Sequence, residues 1–411
     1  MRERVLGYRE AEAAIRKATD AARELPKLVN RISLTTALGR VLAEPLRADR
    51  DQPPFARSTR DGFAVRAEDL PGPLKVVGQL RAGEMWRDRV LGAGEAVEIM
   101  TGAAVPEGAN AVAMAEHVEL GGDTVRLMTG RRLAAGENVV PRGAEACAGD
   151  LLVDAGTRLE PAQISAAAVA GYAEVEVYAR TRVAILATGD ELIEVAEKPK
   201  LAEIRNSNSY SLAAQVEAMG AEPVRLPIVA DELEATEQAI RAALACDVVV
   251  MTGGVSMGKF DYVEHALERI GAEAVFTGAR IQPGKPVVFG RAPHGSERKF
   301  FLGLPGNPIS TMVTFALFGA PLVAALSGET GWHWPRWTRG RLTAEARGKA
   351  GLTRFVPATV EGSIDGVKVT PRVWQGSGDV ASAARADGYV VVPEGADRMP
   401  TGAEVSVLLI G

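Results

Sequence analysis

The sequence is poor in the residues that build disulfide-linked or zinc-bound folds. Two cysteines, Cys147 and Cys246, are too few for a disulfide framework, and four scattered histidines show no zinc-ligand spacing. Positive charge is not in excess either, because the formal net charge is −5, which argues against binding to a nucleic-acid backbone. These absences favour a protein of a reducing compartment with no nucleic-acid partner.

Long hydrophobic runs are also missing. The run that comes nearest to the roughly 20 residues of a membrane span extends from Thr311 to Leu326, but it contains two threonines, a glycine and Pro321. We expect it to form a buried core helix that kinks or breaks at the proline. The first ten residues, MRERVLGYRE, lack the apolar stretch of a signal peptide. We therefore expect a cytoplasmic protein without a membrane partner.

What the 411 residues do contain is an ordinary globular composition, 47% hydrophobic and 24% charged, in a chain long enough for two to four domains. A helix is predicted over 9–24. From about 45 to 160, short valine-containing runs broken by glycine and proline predict β-structure with many turns. Pro161 begins a short helix that Gly171 ends. Short strands return from about 328 to 411, where a small β-barrel or sandwich fits best.

The stretch from about 178 to 327 alternates strands with helices of about 10–14 residues. RVAILAT (182–188) and DVVVMT (247–252) are two of its strands. Such alternation predicts an open, mostly parallel sheet with helices on both faces. Ligands of these sheets bind at the carboxyl ends of the strands, near a switch in strand order. A hairpin is expected around QPGKP (282–286).

One loop of this stretch comes close to a nucleotide-binding motif. The pattern G-x-x-x-x-G-K begins at Gly253, but Phe260 stands where a Ser or Thr should hold magnesium. Gly253, Gly254 and Ser256 follow a buried strand, and a helix starts near Asp261, so backbone N–H groups are still expected to form an anion site. Two explanations of Asp261 stay open: it caps the helix and does nothing more, or its carboxylate takes over the metal contact.

Acidic residues occur on three successive loops of the predicted sheet. Asp190 and Glu191 come directly after a strand, Asp231 precedes the predicted helix ELEATEQAIRAALA, and Asp261 begins the predicted helix DYVEHALERIG. Each one alone is explained by solvation or by helix capping. Together they predict a divalent-cation site, because carboxylates gathered without a cation raise one another's pKa at a cost in free energy.

Two further loops give weaker signals. In FLGLPGNPISTM (301–312), the prolines make either a rigid connection only, or a helix start whose N–H groups bind a second oxyanion. In RIQPGKPVVFG (280–290), Arg280 and Lys285 would suit a phosphate or an inorganic oxyanion, although a lone lysine on a turn is usually just solvated.

Two turns outside the α/β stretch pair a small polar residue with glycine. In RSTRDGFAVR (57–66) Asp61 precedes Gly62, and in EIMTGAAVPEGANAV Thr101 precedes Gly102. Judged by physical chemistry alone, both are ordinary turns.

These motifs in this order resemble those of the molybdopterin molybdenumtransferase family, which the C-terminal domain of gephyrin also represents. The matching segments are DGFAV (61–65), IMTGAAVP (99–106), TGDEL (188–192), NSN (206–208), Asp231, TGGVSMGKFDY (252–262), PGKP (283–286) and LPGNP (304–308). They extend over essentially the whole chain. Each is unspecific alone, and their combination is specific.

The resemblance implies an elongated, multidomain chain of α/β plus β structure. A central doubly wound, mostly parallel sheet would carry an inserted β domain and a C-terminal β-barrel. The expected boundaries are 1–48 with 142–177 for a helical N-terminal domain, 49–141 for the inserted β domain, 178–327 for the molybdopterin-binding α/β domain and 328–411 for the barrel. The family also implies a homodimer in which Asp61 and Thr101 act across the interface.

The implied activity is insertion of molybdate into adenylylated molybdopterin, with release of AMP and the help of Mg²⁺. The catalytic residues would be Glu191, Asp231, Asp261, Asp61 and Thr101, of which the first three would also bind the metal. The substrate-binding residues would be Gly253, Gly254, Ser256, Asn206, Ser207, Pro305, Gly306, Asn307, Pro308, Arg280 and Lys285. The implied partners are adenylylated molybdopterin and molybdate, with transient contacts to a molybdopterin adenylyltransferase and to apo-molybdoenzymes.

The chain departs from the family pattern around PGKP, where two usual lysines are Gln282 and Gly278. Arg280 is the expected replacement of the lost charge. Glu145 stands where the family has an aspartate, and Arg60 where it has a methionine. Two other functions stay open. One is a molybdopterin adenylyltransferase, which has a similar α/β domain but usually lacks the β domain and the barrel. The other is a non-catalytic molybdopterin-binding or scaffold protein of the same fold.

Overall fold

A helix near the N-terminus contributes to the core of the central sheet. The computed structural model describes residues 3–87, 89–254 and 262–410. Strand β1 (Val5–Leu6) precedes helix α1 (Tyr8–Arg23). The buried side chains of α1 recur every three or four residues and are Tyr8, Ala11, Ile15, Thr19 and Ala22. This face packs against the helix that follows the last strand of the central sheet.

A six-stranded sheet follows, with an apolar cluster on each face. The strands of this part of the chain are β2 (Val29–Ser33), β3 (Leu46–Arg47), β4 (Arg57–Ser58), β5 (Gly62–Val65), β6 (Leu74–Leu80), β7 (Glu95–Ile99), β8 (Ala111–Met114), β9 (Val118–Gly121), β10 (Thr124–Leu127) and β11 (Val139–Val140). The order in the sheet is β8-β5-β7-β6-β10-β9, antiparallel except between β6 and β7. Phe63 and Val65 join one cluster and Ala64 the other, which is the alternation of a strand.

The chain then returns to the segment that precedes this sheet. The next elements are β12 (Leu151–Val153), α2 (Pro161–Val169) and β13 (Glu174–Tyr178). Strand β12 pairs with β3, and β13 pairs antiparallel with β2, with Val175 opposite Ile32. Residues that precede the six-stranded sheet in the chain and residues that follow it therefore share one apolar cluster, which includes Leu42, Leu159 and Val177.

The central sheet has the mostly parallel, doubly wound architecture that the alternation of strands and helices predicts. Its elements are β14 (Arg182–Ala187), β15 (Leu192–Ile193), β16 (Ile204–Arg205), α3 (Asn208–Ala218), β17 (Glu222–Arg225), α4 (Leu233–Ala243), β18 (Val248–Thr252), α5 (Tyr262–Arg269), β19 (Glu273–Phe276), β20 (Gly278–Ala279), β21 (Ile281–Gln282), β22 (Val288–His294) and β23 (Glu297–Leu304). The order is β17-β14-β18-β23-β22-β19, and β17, β14, β18 and β23 are parallel. The chain leaves β14 towards β17 and crosses back to β18, so the strand order switches between β14 and β18.

Helices on both faces explain why the inner strands are apolar throughout. Val183 and Ile185 of β14 face a cluster that contains residues of α1 and α3. Ala184 and Leu186 face a second cluster, formed with α4 and α5. A strand buried on both faces has no solvent side on which polar residues would alternate.

The prediction of a hairpin around residues 282–286 is wrong. That segment is a loop between β21 and β22, and the hairpin is formed instead by β22 and β23, which turn at Gly295. Pro283 and Pro286 lack the N–H groups that a hairpin ladder needs. Strand β21 pairs outside the central sheet, with Ile281 opposite Thr353 of the C-terminal region.

The apolar stretch after β23 is a core helix, as expected. It consists of α6 (Pro308–Thr314), a wider π-helical turn (Phe315–Gly319) and α7 (Ala320–Leu326). By length and composition this 19-residue helix would pass for a membrane span, but 89% of its most apolar stretch is buried inside the protein. The expected break at Pro321 takes the form of the widened turn just before it, because proline lacks an N–H and clashes with the carbonyl four residues earlier.

The C-terminal region forms a closed five-stranded barrel, which decides between the two predicted β architectures. Its elements are β24 (Trp337–Leu342), β25 (Ala346–Arg347), β26 (Thr353–Ser363), β27 (Gly366–Pro371), α8 (Val380–Ala383), β28 (Gly388–Val392), β29 (Arg398–Met399) and β30 (Glu404–Leu409). The barrel closes in the order β26-β27-β24-β30-β28, because β28 pairs back onto β26. Val356, Val369, Val390 and Val407 fill its interior.

Candidate functional site

At the carboxyl edge of the central sheet, hydrogen bonds connect the loops to one another and to the last residues of neighbouring strands. Thr188 donates its N–H to Thr252 O at 3.1 Å, and Gly189 donates to Val229 O at 3.2 Å. Gly253 donates to Leu304 O at 3.3 Å. The loops that follow β14, β17, β18 and β23 therefore form one continuous ledge at the switch in strand order, which is where the sequence predicts a ligand.

Carboxylates of two loops meet on this ledge. The N–H of Asp231 donates to Oδ1 of Asp190 at 3.0 Å. Partial burial raises the pKa of Asp231, and the negative charges of Asp190 and Glu191 raise it further. The structure thus brings Glu191 and Asp231 together, as expected. Asp261, the third predicted acid, and Ser256 lie outside the described residues.

The ledge fits a divalent cation by its chemistry, although no metal cluster is complete among the residues that the structure describes. Within the described ranges, which omit 255–261, no group of three His, Cys, Asp or Glu side chains is arranged to hold a metal ion. The observation in favour is the placement of the Asp231 carboxyl beside those of Asp190 and Glu191: burial first, and then these two negative charges, raise the pKa of Asp231. Magnesium takes oxygen ligands and usually binds through one or two carboxylates plus phosphates.

The turn after β18 needs two glycines. Gly253 and Gly254 have φ angles of 89° and 60°, which side-chain-bearing residues rarely adopt. A Cβ on Gly253 would lie 2.4 Å from Thr188 O, and one on Gly254 would lie 2.8 Å from a Val263 methyl group. The predicted glycine turn is therefore present, packed closely onto the end of β14.

The NSN segment behaves differently from its predicted role. Asn206 is only 2% exposed, its Oδ1 accepts from Ser209 N–H at 3.2 Å, and its Nδ2 donates to Ser209 Oγ at 2.8 Å. Both polar groups of Asn206 are thus used within the first turn of α3, where Oδ1 caps the Ser209 N–H and Nδ2 binds the Ser209 hydroxyl. Ser207 is exposed beside it. The structure does not present the Asn206 side chain to a ligand.

Asn208 is the residue of this segment that sequence reasoning missed. Its Nδ2 donates to Thr252 Oγ1 at 2.9 Å and to Gly306 O at 2.7 Å, which joins the loops after β18 and β23. Its Oδ1 is buried without a hydrogen-bond partner in the described structure. The signal was present, because Asn208 belongs to the quoted NSN motif, but only the fold shows which asparagine reaches the ledge.

The LPGNP turn forms the far side of the ledge. Pro305 O accepts hydrogen bonds from Thr252 Oγ1 at 3.3 Å and from Thr311 Oγ1 at 2.5 Å. Gly306 and Asn307 are exposed, and Pro308 begins α6. Gly306 approaches the glycine turn, since its ideal Cβ position lies 3.6 Å from Gly253 Cα. These predicted substrate-binding residues are brought together with Gly253 and Gly254.

A basic cleft of about 460 Å³ lies between the central sheet and the barrel. Lys285 and Asn307 line it from the sheet side, and Lys349 and Arg354 line it from the barrel side. Arg354 Nε is buried without a partner among the described residues, and burial lowers the pKa of its guanidinium. Gln282, at a usual lysine position, also lines this cleft, and its Oε1 has no hydrogen-bond partner in the ranges that the structure describes. Sequence reasoning missed Lys349 and Arg354, which follow no motif.

Arg280 and Lys285 were expected to bind one anion together, but of the two only Lys285 lines the basic cleft. Arg280 Nε forms an ion pair with Glu394 Oε1 at 3.1 Å. It lines a separate cavity of about 550 Å³, together with Tyr8 and Glu10 of the N-terminal helix. Arg280 precedes β21 and Lys285 follows it, and the two residues line different cavities, so of this pair only Lys285 can bind an anion in the basic cleft.

Asp61 and Thr101 form a pair on the six-stranded sheet. Oδ1 of Asp61 accepts from Thr101 N–H at 2.7 Å and from its hydroxyl at 2.8 Å. These two hydrogen bonds, the backbone one first, lower the pKa of Asp61. Both residues are exposed, and in the described part of the chain neither has a hydrogen bond or ion pair to the central sheet.

The glycine turn and acidic loops at the edge of a doubly wound sheet define a protein built around an α/β ligand-binding domain. Three family models match the chain in succession. Residues 6–171 match the MoeA N-terminal region (domain I and II), residues 184–325 match a probable molybdopterin binding domain, and residues 339–410 match the MoeA C-terminal region (domain IV).

Named relatives cover nearly the whole chain. A molybdopterin molybdenumtransferase of Bacillus subtilis (strain 168) is 35% identical over 392 residues, 92% of this chain and 89% of the relative. One of Staphylococcus aureus (strain MRSA252) is 32% identical over 404 residues, 96% of this chain and 94% of the relative. The solved molybdopterin biosynthesis moeA protein of Pyrococcus horikoshii OT3 superposes with a TM-score of 0.80 at 28% identity, covering 98% of this chain and 100% of that one. The chain belongs to the molybdopterin molybdenumtransferase family.

Proposed function

We propose that this protein inserts molybdenum from molybdate into adenylylated molybdopterin and releases AMP. The observation that carries the proposal is the ledge itself: a glycine turn, two acidic loops and the LPGNP turn meet at one sheet edge in a chain of this transferase family. A glycine turn at a strand end suits phosphate oxygens, and the carboxylates beside it suit a cation that would accompany them.

Mg²⁺ is proposed to bind at Glu191 and Asp231, with Asp261 as the third predicted ligand. When bound, it would supply charge neutralisation for the phosphoanhydride of the adenylylated substrate. The residues of the chain have separate tasks. Gly253 and Gly254 let the backbone approach the phosphates, and Gly306 forms the opposite side of the ledge. The carboxylate of Asp190 accepts the N–H of Asp231 and so holds the Asp231 loop in place.

Molybdate is proposed to bind in the basic cleft. Lys285, Lys349 and Arg354 are the cations that line it, and the unpaired Nε of Arg354 is a donor with no use in the described fold. Guanidinium and ammonium groups recognise oxyanions through charge-assisted hydrogen bonds. Arg354 from the barrel, rather than Arg280, then compensates for Gln282 and Gly278 at the usual lysine positions.

A homodimer is proposed because Asp61 and Thr101 are exposed and, in the described part of the chain, their side chains form hydrogen bonds with each other and none with the central sheet. In such a dimer their pair would complete the ledge of the partner subunit. The protein would work in the cytoplasm, with transient contacts to a molybdopterin adenylyltransferase that supplies its substrate and to apo-molybdoenzymes that take its product.

The decisive experiment incubates the protein with adenylylated molybdopterin, molybdate and Mg²⁺ and follows AMP release together with reconstitution of an apo-molybdoenzyme. We expect both to require molybdate and Mg²⁺ and to be lost in Glu191→Ala. Formation of adenylylated product from molybdopterin and ATP would instead identify an adenylyltransferase. Tight binding of the adenylylated pterin without AMP release would identify a scaffold protein.

Mixing two inactive variants tests the dimer. Asp61→Ala and Glu191→Ala, co-refolded or co-expressed, should regain part of the wild-type activity, because one of the two sites in each mixed dimer then has both residues intact. Lack of any recovery, with mixed dimers demonstrated, would place both residues in the site of a single subunit.

A further inference from the structure

Thr188, directly after β14, has a buried hydroxyl that the described part of the chain does not use. The residue is 3% exposed, and its Oγ1 has no hydrogen-bond partner in the described structure. Its backbone N–H donates to Thr252 O, and the residue forms a parallel bridge with Val229. Burying an unpaired hydroxyl costs free energy, and valine would fill the same space without that cost. Stability of the fold therefore gives no reason for a threonine here.

The position of the hydroxyl relates it to the glycine turn. Oγ1 lies 2.9 Å from the ideal Cβ position of Gly254 and 3.4 Å from that of Gly253. The missing side chains at both positions leave the room that Thr188 occupies. The hydroxyl thus lies directly under the turn, two residues before Asp190 and beside the acidic loops.

Phosphate-binding loops of the G-x-x-x-x-G-K type end with a Ser or Thr hydroxyl, and this chain has Phe260 at that position. A neutral hydroxyl can donate its proton to an anionic oxygen, and donation to a charged group is stronger than donation to a neutral one. Because Gly253 and Gly254 carry no side chains, neither residue covers the Thr188 hydroxyl with a Cβ.

We propose that the Thr188 hydroxyl hydrogen-bonds to a phosphate oxygen of the substrate bound at the glycine turn, so that the residue following β14 supplies the hydroxyl that the loop's own sequence lacks. The identity of the phosphate group rests on the proposed function. Thr188 then contributes to substrate binding and to positioning of the phosphoanhydride next to the acidic loops, and its hydroxyl stays unpaired until the substrate arrives.

A second buried, unpaired hydroxyl provides a matched control. Thr236 in α4 is 0% exposed, and its Oγ1 also has no partner in the described structure. It faces the cluster under α4 and α5 and belongs to none of the loops of the ledge. Thr188→Val and Thr236→Val therefore remove the same group, at the same degree of burial, from two different places.

The test measures unfolding midpoints together with the affinity for adenylylated molybdopterin. Both valine variants should unfold at or above the wild-type temperature. Only Thr188→Val should bind adenylylated molybdopterin more weakly, by about ten- to a hundredfold, with a parallel fall in the rate of AMP release. Thr188→Ser, which retains the hydroxyl, should recover most of the affinity. A Thr188→Val protein that binds the substrate with wild-type affinity, or that loses stability while Thr236→Val does not, overturns the proposal.

The result is separable from that of the proposed function. If the wild-type protein releases no AMP but binds adenylylated molybdopterin, the affinity comparison still decides the role of Thr188. If the wild-type protein releases AMP and both valine variants match it in affinity and rate, the proposed function stands and the role of Thr188 is refuted.

Discussion

The backbone N–H of Asp231 donates to the carboxylate of Asp190 at 3.0 Å, which couples the loops after β14 and β17. This contact holds the carboxylate of Asp231 close to those of Asp190 and Glu191. Negative charge is thereby concentrated at one edge of the sheet, where the proposed metal and phosphate groups would bind.

Asp231→Asn should stabilise the protein at neutral pH and reduce its activity by about a hundredfold or more. Burial and neighbouring carboxylates raise the folded pKa of Asp231 above its ordinary value of 3.8. A raised folded pKa means that this carboxyl favours the folded state when protonated, and that the benefit is lost as pH rises through the folded pKa. Thermal unfolding with a chelator should show the stabilisation at pH 7 and little of it below about pH 3.8. A less stable variant at pH 7 would contradict the charge argument.

Arg354→Ala should raise the molybdate concentration for half-maximal AMP release by about tenfold or more, because it removes a buried donor from the basic cleft. Arg280→Ala is the control. Its ion pair with Glu394 lies in the other cavity, so the molybdate dependence should not change. Equal effects of the two substitutions would return Arg280 to the oxyanion site.

Gly253→Ala should destabilise the fold by at least about 2 kcal/mol, because alanine resists a φ of 89° and its Cβ would lie 2.4 Å from Thr188 O. Gly306→Ala is the matched control on the same ledge, since its nearest neighbour would lie 3.6 Å away, an ordinary contact. Denaturant unfolding should show a change within about 0.5 kcal/mol for Gly306→Ala. Comparable losses in both variants would show that the clash is relieved elsewhere.

Asn206→Ala and Asn208→Ala should differ in kind. Loss of the Asn206 cap should lower stability by about 1 kcal/mol with unchanged affinity for AMP per folded molecule. Loss of Asn208 should weaken AMP binding more than stability, because it releases Thr252 from Gly306 at the ledge. Calorimetric titration with AMP, beside chemical unfolding, measures both. The reverse pattern would restore Asn206 as the ligand-binding asparagine.

Glu329→Ala should cost about 3–5 kcal/mol of stability. Its carboxylate pairs with Arg158 at 2.6 Å, and their side chains are only 6% and 14% exposed. Arg158 also donates to Gly39 O and Met219 O, so it joins the N-terminal segment to the central sheet.

The exposed pair of Arg31 and Glu174 serves as the control for Glu329, since both of its side chains are more than half exposed. Glu174→Ala should cost less than about 1 kcal/mol, because solvent screens such a pair. Similar losses of unfolding free energy for Glu329→Ala and Glu174→Ala would mean that the buried ion pair with Arg158 stabilises the fold no more than the exposed pair does.

Much of the fold could be predicted from local pattern. The apolar runs at 182–188 and 247–252 are buried parallel strands, and helix α1 ends close to its predicted limit. The hairpin was misplaced because proline and glycine mark a turn without saying whether the flanking residues pair with each other. Residues 278–282 instead pair with β1 and with the barrel, partners that are distant in sequence.

The candidate site was predicted in part. The acids after β14 and β17, the glycine turn and the LPGNP turn meet at one edge, because the carboxyl ends of parallel strands necessarily share it. Arg354 and Lys349 could not have been found, since the barrel supplies them without a motif. Nor could the sequence tell which asparagine of NSN caps α3 and which one contacts the neighbouring loops.

The order of apolar runs, glycines and acids along the chain by itself determined the strands, the direction in which they end and the family to which the chain belongs. Those properties depend on local geometry and on motifs read in succession. Only the tertiary structure decided that Arg280 and Lys285 line different cavities, that Asn206 is buried while Asn208 connects two loops, and that the Thr188 hydroxyl has no partner among the described residues. The reason is physical: a side chain's partners are set by the packing of segments that are remote in sequence, and no local pattern specifies them.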